Sequence, residues 1–234
     1  MKSFCLVALL FSLNVSGQMR DSFPGVRIAG AMKDVMWRGE LFGKISLDSL
    51  GGTGWYGIGP LEYLRGELLL VNGQPYVATV SDNGMDVMTD RNVKAPFFVY
   101  TKVSAWEEHA LPDSVQTANE LESYLNKLAG KFDQPFVFRV TGTVQSTQIH
   151  LVNLPEGATV SSPEEAHEGK KNFYLNDEQV EIVGFFSRNH KGIFTHHDSF
   201  IHMHLINEKL TMMGHVDRLQ LKPGAVKLFL PSTF

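Results

Sequence analysis

Phe200-Ile201-His202-Met203-His204-Leu205-Ile206 sets two histidines in alternation with apolar residues. Such alternation marks a strand, and side chains two apart on a strand share a face. His202 and His204 therefore point the same way. Asn207-Glu208-Lys209-Leu210 reads as a turn and residues 211–221 as a returning strand. With the turn centred between Glu208 and Lys209, antiparallel pairing sets His202 opposite His215 and turns all three imidazoles to one face. A slip of one residue would carry His215 to the other face.

A lone strand histidine usually just packs or hydrogen-bonds. Here a pair at strand spacing has a third histidine at hairpin distance, and three neutral imidazoles with one open position are the donor set of a catalytic zinc site. The expectation is that His202, His204 and His215 hold one divalent ion, Zn2+ first, with manganese and iron also compatible with imidazole. His196, His197 and Asp198, just upstream, could support the ligating histidines from behind or form an ordinary polar loop, and the loop is the favoured reading.

The rest of the chain is mostly strands. Residues 67–71 and 75–80 flank Asn72-Gly73, a pair suited to the positive φ angles of a tight hairpin. Residues 97–103, 136–141, 180–186, 200–206 and 225–230 are further β-branched and aromatic runs between turn residues. One helix stands out, capped by Asp113 or Ser114, striped by Val115, Ala118, Leu121, Leu125 and Leu128, and ended by Gly130. A shorter helix is expected over 46–50. Residues 155–176 are polar and read as a long surface loop. Gly52-Thr53-Gly54-Trp55-Tyr56-Gly57 matches a dinucleotide-binding fingerprint, but the flanks lack the required strand before and helix after, so it reads as a glycine-rich turn. The pattern as a whole predicts an α+β, β-rich fold with mixed or antiparallel sheets.

The N-terminus narrows the setting. Met1-Lys2-Ser3, an apolar run over 4–15 and then Ser16-Gly17 form a signal peptide pattern, with the run too short to span a bilayer. Cleavage after Gly17 would export the chain, to the periplasm or the medium, with no remaining membrane attachment. Cys5 is the sole cysteine and would leave with that segment, which excludes disulfides and cysteine-ligated metal sites. The formal net charge of -4 comes without any dense Lys/Arg cluster, so nucleic acid is excluded as a partner.

Several segments together resemble the α-acetolactate decarboxylase family. They are Gly59-Pro60-Leu61-Glu62-Tyr63-Leu64-Arg65-Gly66-Glu67-Leu68, Ala95-Pro96-Phe97-Phe98, Phe138-Arg139-Val140-Thr141-Gly142, Ile182-Val183-Gly184-Phe185, and His202-Met203-His204 through Gly214-His215-Val216. The match runs along nearly all of residues 18–234, and its most specific part is the H-x-H-x10-H element with glycine before the last histidine. The resemblance implies two lobes, about 18–134 and 135–234, with a zinc site between them. It also implies decarboxylation of 2-acetolactate, a small 2-hydroxy-3-oxo acid, to acetoin and CO2. A homodimer is compatible with it.

By position the resemblance assigns Glu67 as an active-site glutamate, able to deliver the proton that replaces CO2. It assigns Arg139 as an active-site arginine, able to hold the substrate carboxylate through paired hydrogen bonds. Read from pattern alone, each could equally be a solvated strand charge. Departures from the family pattern are Pro60 in place of a threonine, Ile201 in place of a tyrosine, and no acidic residue after Asp217 to match a tail glutamate. Three other readings stay open: a relative acting on another 3-oxo or 2-hydroxy acid, a cupin-like site using His202, His204 and Glu208, and a non-catalytic exported metal-binding protein.

Overall fold

The computed structural model describes residues 25–232; the signal peptide expected over 1–17 lies outside the described residues. The chain first runs β1 (Arg27–Ala29), α1 (Met32–Arg38), β2 (Ile45–Ser46), β3 (Trp55–Pro60), β4 (Glu67–Val71), β5 (Gln74–Ser81), β6 (Gly84–Met88), β7 (Lys94–Ala95), β8 (Phe98–Lys102) and β9 (Trp106–His109). It continues through α2 (Ala118–Ala129), β10 (Phe136–Leu151), α3 (Pro163–Ala166), β11 (Lys171–Phe186), β12 (Ile201–Asn207) and β13 (Met213–Pro231). An antiparallel six-stranded sheet has the order β1-β8-β3-β4-β5-β6, and β2 pairs with β7 in a small ladder.

The second sheet has the order β10-β11-β12-β13-β9, and β10 also pairs with β13. Strands β10 to β13 therefore pair in a closed ring. Alternation along these strands gives the ring two different faces. Phe136, Phe138 and Val140 of β10 join Met203 and Leu205 of β12 in one core, which α2 covers with Leu121 and Leu125. Val137, Val183, Phe185, Ile206 and Met213 point the other way and pack on Ile58, Leu69, Ala78 and Val99 of the first sheet. Burial of each such side chain contributes roughly 1.5–3 kcal/mol, so both faces are committed to packing. His202 and His204, which alternate with Met203 and Leu205, accordingly face the first sheet.

The expected hairpin at Asn72-Gly73 forms, with φ of 49° and 79° at its two turn residues. The Gly52-Thr53-Gly54 stretch leads into strand β3 rather than a helix. Over 46–50 there is a single 3-10 turn, Leu47–Ser49. Three readings need correction. α2 starts later than expected, because Thr117 rather than Asp113 or Ser114 caps it in a reciprocal arrangement with Glu120. Residues 155–176 are not all loop, since α3 and the first six residues of β11 fall within them. These strand residues pair with the end of β10 while exposing most of their side chains, so their polarity reflects solvent and not lack of structure. Finally, the expected strands over 211–221 and 225–230 are one strand, β13, which starts at Met213 and whose pairing with β10 jumps across Pro223-Gly224.

Thr117→Ala is expected to lower unfolding free energy by about 1 kcal/mol, read from denaturant midpoints. Ser114→Ala should stay within about 0.5 kcal/mol of the parent.

Candidate metal centre

Neighbouring strands and the first sheet together build the centre. The ladder between β12 and β13 pairs His204 with His215, Leu205 with Gly214 and Ile206 with Met213. His202 is therefore not opposite His215 as expected; the register differs by two residues and the turn centres between Lys209 and Leu210. The reason is local: the Asn207 side chain accepts from the amides of Thr211 and Met212, and Leu210 takes a positive φ of 56°. A shift of two preserves side-chain parity, so all three histidines remain on the face toward the first sheet.

The cluster is buried, with His202 at 3%, His204 at 0% and His215 at 8% exposure. One ring nitrogen from each lies within 4.8 Å of the other two. His202 Nε2 is 3.1 Å from His215 Nδ1. His204 is oriented from across the sheet interface, where its Nδ1 lies 2.9 Å from the carbonyl oxygen of Leu68 on β4. A carbonyl only accepts, so Nδ1 carries the proton and Nε2 is left with a bare lone pair. That Nε2 is buried without a hydrogen-bond partner. A metal ion fits this donor set: an orphaned nitrogen aimed at two further imidazoles is costly in a dry site and becomes satisfied by ligation.

Burial is the leading influence on every titrating group here. It holds His204 down at about 3, against the opposing pull of the Leu68 carbonyl, and it depresses His202 and His215 well below the ordinary imidazole value. All three are therefore neutral, the state a metal ligand needs. Glu67, on β4, is 3% exposed, and its Oε2 lies 3.6 Å from His204 Nε2. Burial raises its carboxyl well above the usual range, opposed by the Val152 amide and aided by the charge of Asp217. His204 is neutral, so its approach to Glu67 is not an ion pair.

Two further histidines reach the cluster. His150, near the end of β10, pairs with His215 across the ladder, and its Nδ1 is 2.8 Å from Asp217 Oδ1. Burial pushes Asp217 up, but the His150 hydrogen bond and the Lys170 charge outweigh it and leave the carboxyl below its usual value. Gly214 makes this approach of β10 achievable, because a Cβ there would stand 2.6 Å from the His150 carbonyl oxygen. His196, read from sequence as part of a polar loop, has its Nε2 3.3 Å from His215 Nε2. His150 was legible in principle as a histidine between Ile149 and Leu151, but only the β10–β13 pairing reveals its neighbour. Glu208 is exposed in the turn and does not join the histidines, which leaves the cupin-like reading without its carboxylate.

A cavity of about 30 Å3 opens on this centre, bordered by Glu67, His150, His202, His215, Pro60 and Phe97 among others. From the side of α2, a cleft of about 290 Å3 reaches His196, His202 and His215 past Ala118, Asn119 and Glu122. Arg139 lines neither. Its Nε lies 2.9 Å from Glu181 Oε1, and its guanidinium sits over the rings of Trp106 and Phe229 at 5.3 and 5.2 Å. The structure thus brings Glu67 and the three predicted ligands together and leaves Arg139 in a separate ion pair.

The model of the alpha-acetolactate decarboxylase family matches residues 29–233. The chain belongs to that family. An alpha-acetolactate decarboxylase from Brevibacillus brevis is 27% identical over 215 residues, covering 86% of this chain and 72% of that protein. One from Methanosarcina mazei is 24% identical over 202 residues, covering 86% and 68%. The solved structure of alpha-acetolactate decarboxylase from Bacillus subtilis strain 168 superposes with a TM-score of 0.71 at 21% identity, covering 88% of this chain and 84% of that one. The strand-rich, two-sheet architecture is thus the fold of alpha-acetolactate decarboxylases, and membership makes the chain a carboxy-lyase by family.

The Arg139–Glu181 pair has a stability signature of its own. Burial raises Glu181 by more than Arg139 pulls it down, so the pair does not fully recover its desolvation. Arg139→Ala is expected to cost about 1–3 kcal/mol by stranding Glu181, and R139M/E181L to recover most of that loss. Cobalt or zinc affinity, measured alongside the denaturant midpoints, should be unchanged in both variants.

Proposed function

We propose that the chain decarboxylates 2-acetolactate to acetoin and CO2 with one divalent cation, zinc first, held by His202, His204 and His215. The observation that carries this reading is the bare, buried Nε2 of His204, aimed at two more neutral imidazoles and lying 3.6 Å from the carboxyl of Glu67. Family membership supplies the reaction class and the substrate named for the relatives. When bound, a divalent cation would draw electron density from the keto and hydroxyl oxygens of the substrate and so ease loss of CO2.

The side chains have distinct tasks. Burial raises the Glu67 carboxyl well above its ordinary value, which suits it to donate a proton to the carbon that CO2 leaves, completing acetoin. The Val152 amide and the surrounding Pro60, Leu64 and Phe97 restrain that carboxyl and keep bulk water off it. His150, with its Nδ1 proton committed to Asp217, presents its other nitrogen to the cavity as an acceptor for a substrate hydroxyl. A cavity of about 30 Å3 takes an ion and a water. The organic acid therefore needs this cavity, which Glu67 and His150 border, to widen as it binds.

Release of CO2 and acetoin from racemic 2-acetolactate by the zinc-loaded chain tests the proposal. Turnover should require the metal and fall at least about 100-fold in both His204→Ala and Glu67→Gln, with only His204→Ala losing metal. Stoichiometric metal binding without any turnover would reject the substrate while keeping the site.

A further inference from the structure

His215 has a different neighbour at each ring nitrogen. Nδ1 lies 3.1 Å from His202 Nε2, within the cluster that also takes His204, and Nε2 lies 3.3 Å from His196 Nε2. A neutral imidazole carries one proton and one lone pair, and only the lone pair can ligate a cation. Nδ1 is the nitrogen that meets His202 Nε2 in the cluster, so with a cation held there it is the bare nitrogen and Nε2 holds the proton. That proton needs an acceptor in a site that is 8% exposed, and among the described residues His196 places a ring nitrogen within reach of it.

We infer that His196 is a positioning residue for the metal centre: its Nε2 accepts the Nε2 proton of His215 and so fixes the tautomer in which Nδ1 is free to bind metal. This rests on the metal reading above and adds a residue outside the strand pair that carries the ligands. The two rings meet edge to face, 5.1 Å apart at 71°. His196 is half-buried in the loop before β12, whereas its neighbour His197 is exposed. Without an acceptor the Nε2 proton of His215 is left unpaired in a buried site and the ring loses its fixed orientation. Acceptors behind a ligating histidine typically contribute 10–100-fold in metal affinity.

Cobalt(II) titration of the full mature chain against a competing chelator tests this, with the visible absorption spectrum followed in parallel. His196→Ala should weaken cobalt binding about 10–100-fold while the intensity and position of the cobalt bands stay those of the parent. His196→Gln, whose amide oxygen can accept the same proton, should recover most of the affinity, and His197→Ala should match the parent. A parent-like affinity in His196→Ala would overturn the inference. So would a changed cobalt spectrum in both His196 variants, which would make His196 a direct ligand. Failure of the parent chain itself to bind cobalt would defeat the metal reading, an outcome distinct from either of these.

Discussion

The hydrogen bond from His204 to the carbonyl of Leu68 joins two sheets whose contributing residues are 136 positions apart in the chain. It commits one nitrogen of His204 and leaves the other bare, and it can form only if the outer face of the closed β10–β13 ring is pressed against β4. The same contact brings Glu67, one residue before Leu68, to the cluster. Packing of Ile206, Met213 and Val183 on Ile58, Leu69 and Val99 holds the two sheets together around that bond. The chemistry of the centre is thus a product of the sheet interface and not of either sheet alone.

Sequence pattern foresaw the part of this arrangement that depends on parity. His202 and His204 share a face whatever the register, and His215 joins them for any slip of an even number of residues. That is why a turn read one position too early still placed the three histidines together. What pattern did not reach depends on tertiary pairing. His150 meets His215 because β10 closes the ring against β13, and His196 is brought in by a loop with no periodicity to read. Arg139 lies on the same face as Val137, as alternation says, yet further along β10, where Glu181 and Trp106 take it up. The polar opening of β11 looked like loop because solvent exposure and lack of structure leave the same residue composition.

Burial pushes most groups of the centre toward their neutral forms. Desolvation lowers His202, His204 and His215 and raises Glu67, each toward its neutral form, while Asp217 beside them, held below its usual value, is secured by His150 and Lys170. Such a cluster presents imidazole lone pairs without a buried positive charge of its own to stabilise. The departures from the family pattern fit this picture: Pro60 is an apolar wall of the cavity, and Ile201 belongs to the opposite core beneath α2.

Anomalous diffraction at the zinc edge from crystals of the metal-loaded chain tests the central claim most directly. The account predicts one strong peak about 2.0–2.1 Å from a ring nitrogen of each of His202, His204 and His215, with the His204 bond made through Nε2. A peak placed instead between His150 and Asp217, or no ordered peak at the three histidines, would contradict it.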